Sequence, residues 1–314
     1  MPQLQNLEMP LPGSERGKLL KIKEESRRRF PGTKNRGIKN APQQHIPSPV
    51  IIRGFEANKY TGSVPNDNNL AISNAGMLVS VSNTTIRAYD MVKDSLLLNK
   101  SLSSFALPLG FIGANNSKFD PKVLYDPDRD RFIVVLLNGN TPGYSKIILG
   151  FSSTNNPVDA WNLYFLNGNP LNDTTWSDYP AVAITKDELF ITVNQIIPGE
   201  PWQTGFSQTL IWQIDKTAGF DSDSLLNAKL WKDIWFGENP IRNLNPIVGG
   251  SKLYGPNMFF LSNRNFAIQN DTLFLVEITG IQNDSSSSLK IKSGISDVAY
   301  GVPPVARQAG GHTF

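Results

Sequence analysis

Along the middle of the chain, apolar and polar positions recur in a block with the same order each time. An Asp leads a short apolar run, a turn follows, a longer apolar run comes next, and two looser apolar segments complete the block. Asp67 leads Leu70-Ala71-Ile72 and Met77-Leu78-Val79; Asp120 leads Val123-Leu124-Tyr125 and Phe132-Ile133-Val134-Val135; Asp178 leads Val182-Ala183-Ile184 and Leu189-Phe190-Ile191. The runs are short and separated by Asn74-Ala75-Gly76, Pro127-Asp128-Arg129-Asp130 and Lys186-Asp187, which are tight-turn sequences suited to antiparallel neighbours. Each block therefore predicts a four-strand meander. The first has strands near residues 70–73, 77–82, 85–91 and 96–107, and the second near 123–126, 131–137, 146–152 and 161–166. The third has them near 182–185, 188–194, 209–215 and 229–236. A more divergent fourth block runs through 258–261, 272–279 and 289–293, after an insertion around 235–250. A repeat of roughly 40 to 60 residues built only from short strands is the signature of a propeller blade. The expected fold is thus all-β, a β-propeller of four-stranded antiparallel blades with about four to five blades present.

Pro303-Pro304 and Gly310-Gly311 read as the start of a fifth block. Four blades and a stub close a ring poorly, because an unclosed ring leaves two blades with exposed apolar faces. The expectation is either a piece of a longer protein or a blade completed jointly by residues 49–55 and the C-terminal stub. No apolar stretch approaches the roughly 18 residues that cross a bilayer, and residues 1–20 lack the apolar core of a signal peptide.

Charge divides the 314 residues in two. The net of +3 conceals a basic segment, residues 1–48, with ten Lys or Arg against four Glu, which leaves 20 basic and 23 acidic side chains in the remainder. Residues 1–48 read as a disordered basic leader, with a polar helix over 15–29, and residues 49–314 as the propeller domain. Nucleic-acid binding by the leader is disfavoured, since no aromatic residues are interleaved for base stacking. The expected state is a monomer.

The absence of cysteine excludes disulfides, thiolate metal sites and cysteine nucleophiles. Both histidines, His45 and His312, lie outside the repeats, which leaves neither a Ser-His-Asp triad nor a histidine metal site within them. The Asp-box turns of sialidase-like propellers and phosphate-binding glycine loops are also missing. A glycosidase needs only two carboxylates, so a carbohydrate-active hydrolase stays open as the alternative to a binding module.

Three groups of residues are candidates for chemistry. Asp67, Asp120 and Asp178 start the innermost strands, and equivalent positions of successive blades face one channel mouth; they either line a ligand or Ca²⁺ site there or cap their own turns. Asp126, Asp128 and Asp130 form a D-x-D-x-D run that suits a hard cation, but Arg131 stands where an EF-hand needs Gly and Leu137 where it needs Glu. The alternative for that run is a polar hairpin turn with Arg131 paired to one of its carboxylates. Trp202, in the loop 198–205, is the aromatic best placed for exposed recognition, while Trp161 and Trp212 sit in strand patterns and read as packing.

The segments Asp120-Pro121-Lys122-Val123-Leu124-Tyr125-Asp126 with Asp130-Arg131-Phe132, then Ser153-Thr154 with Pro157 and Trp161, then Trp176-Ser177-Asp178-Tyr179-Pro180, and Pro303-Pro304 with Gln308 resemble a family of large secreted propeller proteins of Bacteroidetes-type bacteria. The resemblance spans about residues 50–314 and implies a secreted or cell-surface binding or adhesion module with an unknown polysaccharide or protein ligand; apart from the Ca²⁺ reading of the Asp residues, no cofactor is expected. In that family many members carry a type IX secretion sorting domain. The tripeptides Asp94-Ser95-Leu96, Asp173-Thr174-Thr175, Asp223-Ser224-Leu225 and Asp271-Thr272-Leu273 also resemble O-glycosylation acceptors of exported proteins in such bacteria.

Overall fold

The protein is described by a computed structural model covering residues 63–200, 204–250, 252–264 and 269–301, with a few isolated positions before residue 63. A parallel pair, β1 (Gln5–Asn6) with β2 (Ser63–Val64), precedes the repeats. The first blade comprises β3 (Asn69–Ile72), β4 (Met77–Ser82), β5 (Thr85–Asp90) and β6 (Ser95–Ser101). After helix α1 (Leu102–Phe105) and a 3-10 turn (Leu107–Leu109) comes the second, β7 (Lys118–Asp126), β8 (Arg131–Asn138), β9 (Lys146–Ser152) and β10 (Trp161–Asn167). The third comprises β11 (Trp176–Ile184), β12 (Glu188–Ile196), β13 (Phe206–Asp215) and, after helix α2 (Lys216–Phe220), β14 (Ala228–Trp231). A separate hairpin, β15 (Trp235–Phe236) with β16 (Asn239–Pro240), leads to the fourth blade: β17 (Asn245–Pro246), β18 (Met258–Asn263), β19 (Gln269–Ile278) and β20 (Leu289–Gly301). Each blade is an antiparallel four-stranded meander in chain order, and the innermost strands β3, β7, β11 and β17 lie side by side in succession. This is a β-propeller arrangement.

Blade packing explains why the second strands read as uninterrupted apolar runs. Successive side chains of a strand point to opposite faces, and an inner blade has a neighbour on each. On β8, Phe132, Val134 and Leu136 join Val79, Val81 and Ile86 of the first blade. The alternate residues Ile133, Val135 and Leu137 join Leu189, Ile191 and Val193 of the third. Phe190 turns the other way, into a core with Phe260, Phe274 and Val276 of the fourth blade. The core is therefore three slabs, one per blade interface. Each fully buried Val, Leu, Ile or Phe contributes roughly 1.5–3 kcal/mol by leaving water, so β12, buried at every position, is a principal anchor.

The faces away from these slabs are less covered. On the first blade Leu70 and Ile72 are exposed, although Phe55, Ala57 and Asn58 shield part of the sheet: Phe55 packs on Tyr89, and the Ala57 carbonyl accepts from Arg87 Nη1 at 3.2 Å and Tyr89 Oη at 2.5 Å. On the fourth blade Leu261 and Leu273 are half exposed.

Three expectations change. Residues 102–107 are not strand, because the Ser101 side chain accepts from the Ser104 N–H and caps a helical turn ahead of Pro108. The chain from 229 to 236 is not one strand: β14 ends at Trp231, and Trp235–Phe236 pairs with Asn239–Pro240 instead. The innermost strand of the fourth blade, β17, lies inside what reads as an insertion. The 15–29 helix and the stub from residue 302 fall outside the described residues, apart from Arg28.

Candidate functional site

The innermost strands share a backbone feature near their starts. Asp67 (φ 43°), Asp120 (φ 48°), Tyr179 (φ 54°) and Asn243 (φ 51°) all occupy the left-handed region. Each stands two residues before a pair in the same register, Asn69 with Val81, Lys122 with Val135, Ala181 with Thr192 and Asn245 with Leu261. In the second and third blades the kink is a β-bulge in which Pro121 or Pro180 interrupts the ladder, which is where a sheet tolerates proline. The four kinks therefore mark one rim of the propeller, at the N-terminal ends of its inner strands.

Asparagine side chains clamp this rim. Asn83 donates from Nδ2 to the Pro65 carbonyl at 3.0 Å and to the Asp67 carboxylate at 2.6 Å, and its Oδ1 accepts the Asp120 N–H at 2.6 Å. One side chain thus ties the kink of the first blade to that of the second. Asn194 repeats the device one interface on: its Oδ1 accepts from the Asn243 N–H at 3.2 Å and from Thr209 Oγ1 at 2.9 Å, and its Nδ2 donates to the Asn243 side chain. The same register position on β8 is Leu137, buried in the slab between the second and third blades. Tyr179 is thus held without the asparagine acceptor that its counterparts Asp120 and Asn243 have.

The sequence-predicted residues fall as follows. Asp67 and Asp120 occupy equivalent kinks, with Asp67 engaged by Asn83 and Asp120 only 7% exposed. Asp178 is one step out of that series: it pairs with Asn194 as Phe119 pairs with Leu137, so the residue equivalent to Asp120 is Tyr179. Trp202 lies outside the described residues. The Asp126-Asp128-Asp130 run forms a polar hairpin turn. Asp126 Oδ1 accepts the N–H groups of Asp128 and Arg129, and its Oδ2 lies 2.6 Å from the buried Lys216 ammonium. Asp130 accepts from Tyr125 Oη at 2.5 Å and from Asn155 Nδ2 at 2.9 Å; burial and then this carboxylate push the Tyr125 phenol up to about 12. Arg131 pairs with none of them. Its guanidinium reaches the Phe220 carbonyl at 3.1 Å and lies over the Phe220 ring, so Lys216 takes the role expected of Arg131. Among the described residues, no three Asp, Glu or His side chains group closely enough to hold a metal ion.

Tyr179 is the rim residue that sequence patterning passed over. It is 50% exposed and is a bulky residue in a conformation that favours Gly, Asn or Asp. The available signal was proline: Tyr179-Pro180 matches Asp120-Pro121, but the neighbouring Asp178 offered a tempting chemical match. Trp161 and Trp176 pack edge to face on Phe105 and Phe119, whereas Trp235, on the separate hairpin, is 42% exposed.

No protein-family profile matches the chain, and no curated protein does. Among solved structures, one that resembles it is the polysaccharide lyase Uly1, at 12% identity and a TM-score of 0.39, aligned over 77% of this chain and 51% of the lyase. This chain thus spans about half the length of that protein. Another is the WD40 domain of SCAP from fission yeast, at 7% identity and a TM-score of 0.21, over 76% of this chain and 75% of that one. Likeness at this level bears on neither activity nor ligand. No helix among the described residues is long and apolar enough to cross a membrane.

Proposed function

We propose that this protein is a secreted or cell-surface binding module that presents the inner-strand rim of its propeller to a polysaccharide. In this reading it stands with the secreted propeller proteins of Bacteroidetes-type bacteria that its motifs resemble. The observation that carries the binding role is Tyr179, an exposed aromatic ring kept in a left-handed backbone conformation where the other blades use Asp or Asn. Unfavourable backbone of this kind persists where the surroundings over-determine it, and it concentrates at ligand contacts. A flat phenol offers an apolar platform with a polar tip, and the exposed Asn68 and Asn245 beside the neighbouring kinks add amide groups for hydroxyl recognition.

The hydrolase alternative needs two carboxylates free to flank a glycosidic bond. Asp67 is occupied by Asn83, and Asp120 is buried, which favours binding over bond cleavage.

Tyr179→Gly is the discriminating variant. Glycine accepts the left-handed conformation at no steric cost, so the fold should stand unchanged or gain up to about 1 kcal/mol as strain is released. Affinity electrophoresis through gels cast with individual neutral and acidic polysaccharides should show retardation of the wild type in at least one gel and free migration of Tyr179→Gly. Equal retardation of the two would remove Tyr179 from the site. Release of new reducing ends from the retarding polymer would replace the binding module with the hydrolase.

A further inference from the structure

The connection between the first two blades holds a feature that the rim reading does not use. Between the end of β6 and the start of β7 the chain passes through α1, the 3-10 turn and an irregular loop, and there it forms a half-open cavity of about 220 Å³. The polar side of the cavity is Ser103, Ser104, Asn116 and Lys118; the apolar side is formed chiefly by Leu107 and Phe111. Lys118 is 8% exposed. Its ammonium donates to the carbonyl of Phe111 and, at 2.7 Å, to that of Asn116. Both acceptors are neutral, and among the described residues no carboxylate lies within ion-pair reach of it.

A buried cation without a counter-charge is costly, and folded proteins ordinarily pair such a group. An ammonium has three donors, so two carbonyls leave one N–H for a further acceptor. Two serine side chains line the same pocket. Ser104 Oγ accepts from Ser101 Oγ at 2.8 Å, which keeps its own hydrogen available, and the Ser103 hydroxyl makes no hydrogen bond among the described residues. Burial also lowers the Lys118 pKa, as expected of a charge that lacks compensation.

We propose that this cavity binds the carboxylate of a compact organic acid, with Lys118 supplying the counter-charge, Ser103 and Ser104 the hydroxyl donors, and Leu107 and Phe111 a wall for the apolar body. The volume lies below the roughly 300–1,000 Å³ of sites for drug-sized molecules, which limits the ligand to a small acid. The apolar wall distinguishes it from a bare inorganic ion.

Benzoate is a suitable probe, with sulfate at matched ionic strength as the control. Titration of the isotope-labelled protein followed by amide NMR should give saturable shifts confined to residues 102–118. Lys118→Met should weaken binding by at least about tenfold, the usual loss for a charge-assisted hydrogen bond. Because Lys118→Met also unties the loop, the double variant Ser103→Ala/Ser104→Ala, which leaves both carbonyl contacts in place, should weaken binding several-fold with unchanged thermal stability. Raising the pH toward the lowered Lys118 pKa should release the ligand as the amine loses its charge. The assignment is overturned if benzoate gives no saturable shift up to tens of millimolar, if Lys118→Met binds equally well, or if sulfate binds as tightly as benzoate.

Discussion

At the scale of single residues, the rim shows how one amide can serve two blades. Asn83 spends both ends of its side chain, donating to Pro65 and Asp67 and accepting from Asp120. Its removal deprives a buried network of several partners at once, each worth about 1 kcal/mol net. Asn83→Leu places there the residue that the second blade carries at the same register, Leu137, and should cost about 2 kcal/mol in urea-induced unfolding. A change below roughly 0.5 kcal/mol, the ordinary scatter for inconsequential sites, would show that backbone pairing alone holds the kink. The same scale marks where sequence reading stops. Asp67 and Asp120 were legible because, glycine aside, Asp and Asn are among the residues that reach positive φ most cheaply. Tyr179 was not, because nothing in an aromatic side chain signals that its backbone is left-handed, and Asp178 one position earlier supplied the expected chemistry on the wrong residue.

At the scale of elements, a buried ion pair joins the second and third blades. Asp126 closes β7 and Lys216 opens α2 after β13; their charged atoms lie 2.6 Å apart with both side chains inaccessible, and Lys216 Nζ also donates to the Thr185 carbonyl at 2.7 Å. Breaking one side of such a pair strands the other charge, which typically costs about 3–5 kcal/mol, whereas replacing both partners can be close to neutral. Lys216→Met alone should therefore fall in the larger range. Asp126→Asn/Lys216→Met, which keeps an oxygen for the Asp128 and Arg129 N–H groups, should recover most of it. Chemical denaturation of the two single variants and the double gives the coupling, and strict additivity would mean that the charges do not act on each other. Only one partner of this contact was legible, since the hairpin run names Asp126 but nothing in it points to the helix 90 residues on that answers it. The strands themselves were legible where both faces are buried, as in β8 and β12, because the apolar run is then unbroken. They were lost where a bulge with proline, as at Pro121 and Pro180, or a two-residue strand such as β17 leaves no period to read.

At the scale of the whole molecule, stability should be graded along the row of blades. Each blade buries its apolar faces only against its neighbours, so the architecture behaves as a chain of nearest-neighbour interfaces whose members can open separately. The second and third blades hold two slabs each. The first holds one but has Phe55, Ala57 and Asn58 laid over its other side, with Asn58 Nδ2 donating to Ser80 Oγ at 2.8 Å. The fourth holds one, and its opposite side leaves Leu261 and Leu273 at 50% and 42% exposure. Opening the fourth blade therefore gives up one slab, while opening the third gives up two. Native-state hydrogen exchange across a series of sub-denaturing urea concentrations should find the amides of β18 and β19 exchanging through an opening of lower free energy than those of β8 and β12. The first blade should lie between, and Phe55→Ala should lower its protection without touching the fourth. A single free energy for all protected amides would instead make the four blades one cooperative unit. In that case the polar bridges between blades, the Asn83 and Asn194 clamps and the Asp126–Lys216 pair, would have to carry the coupling that the apolar slabs alone do not supply.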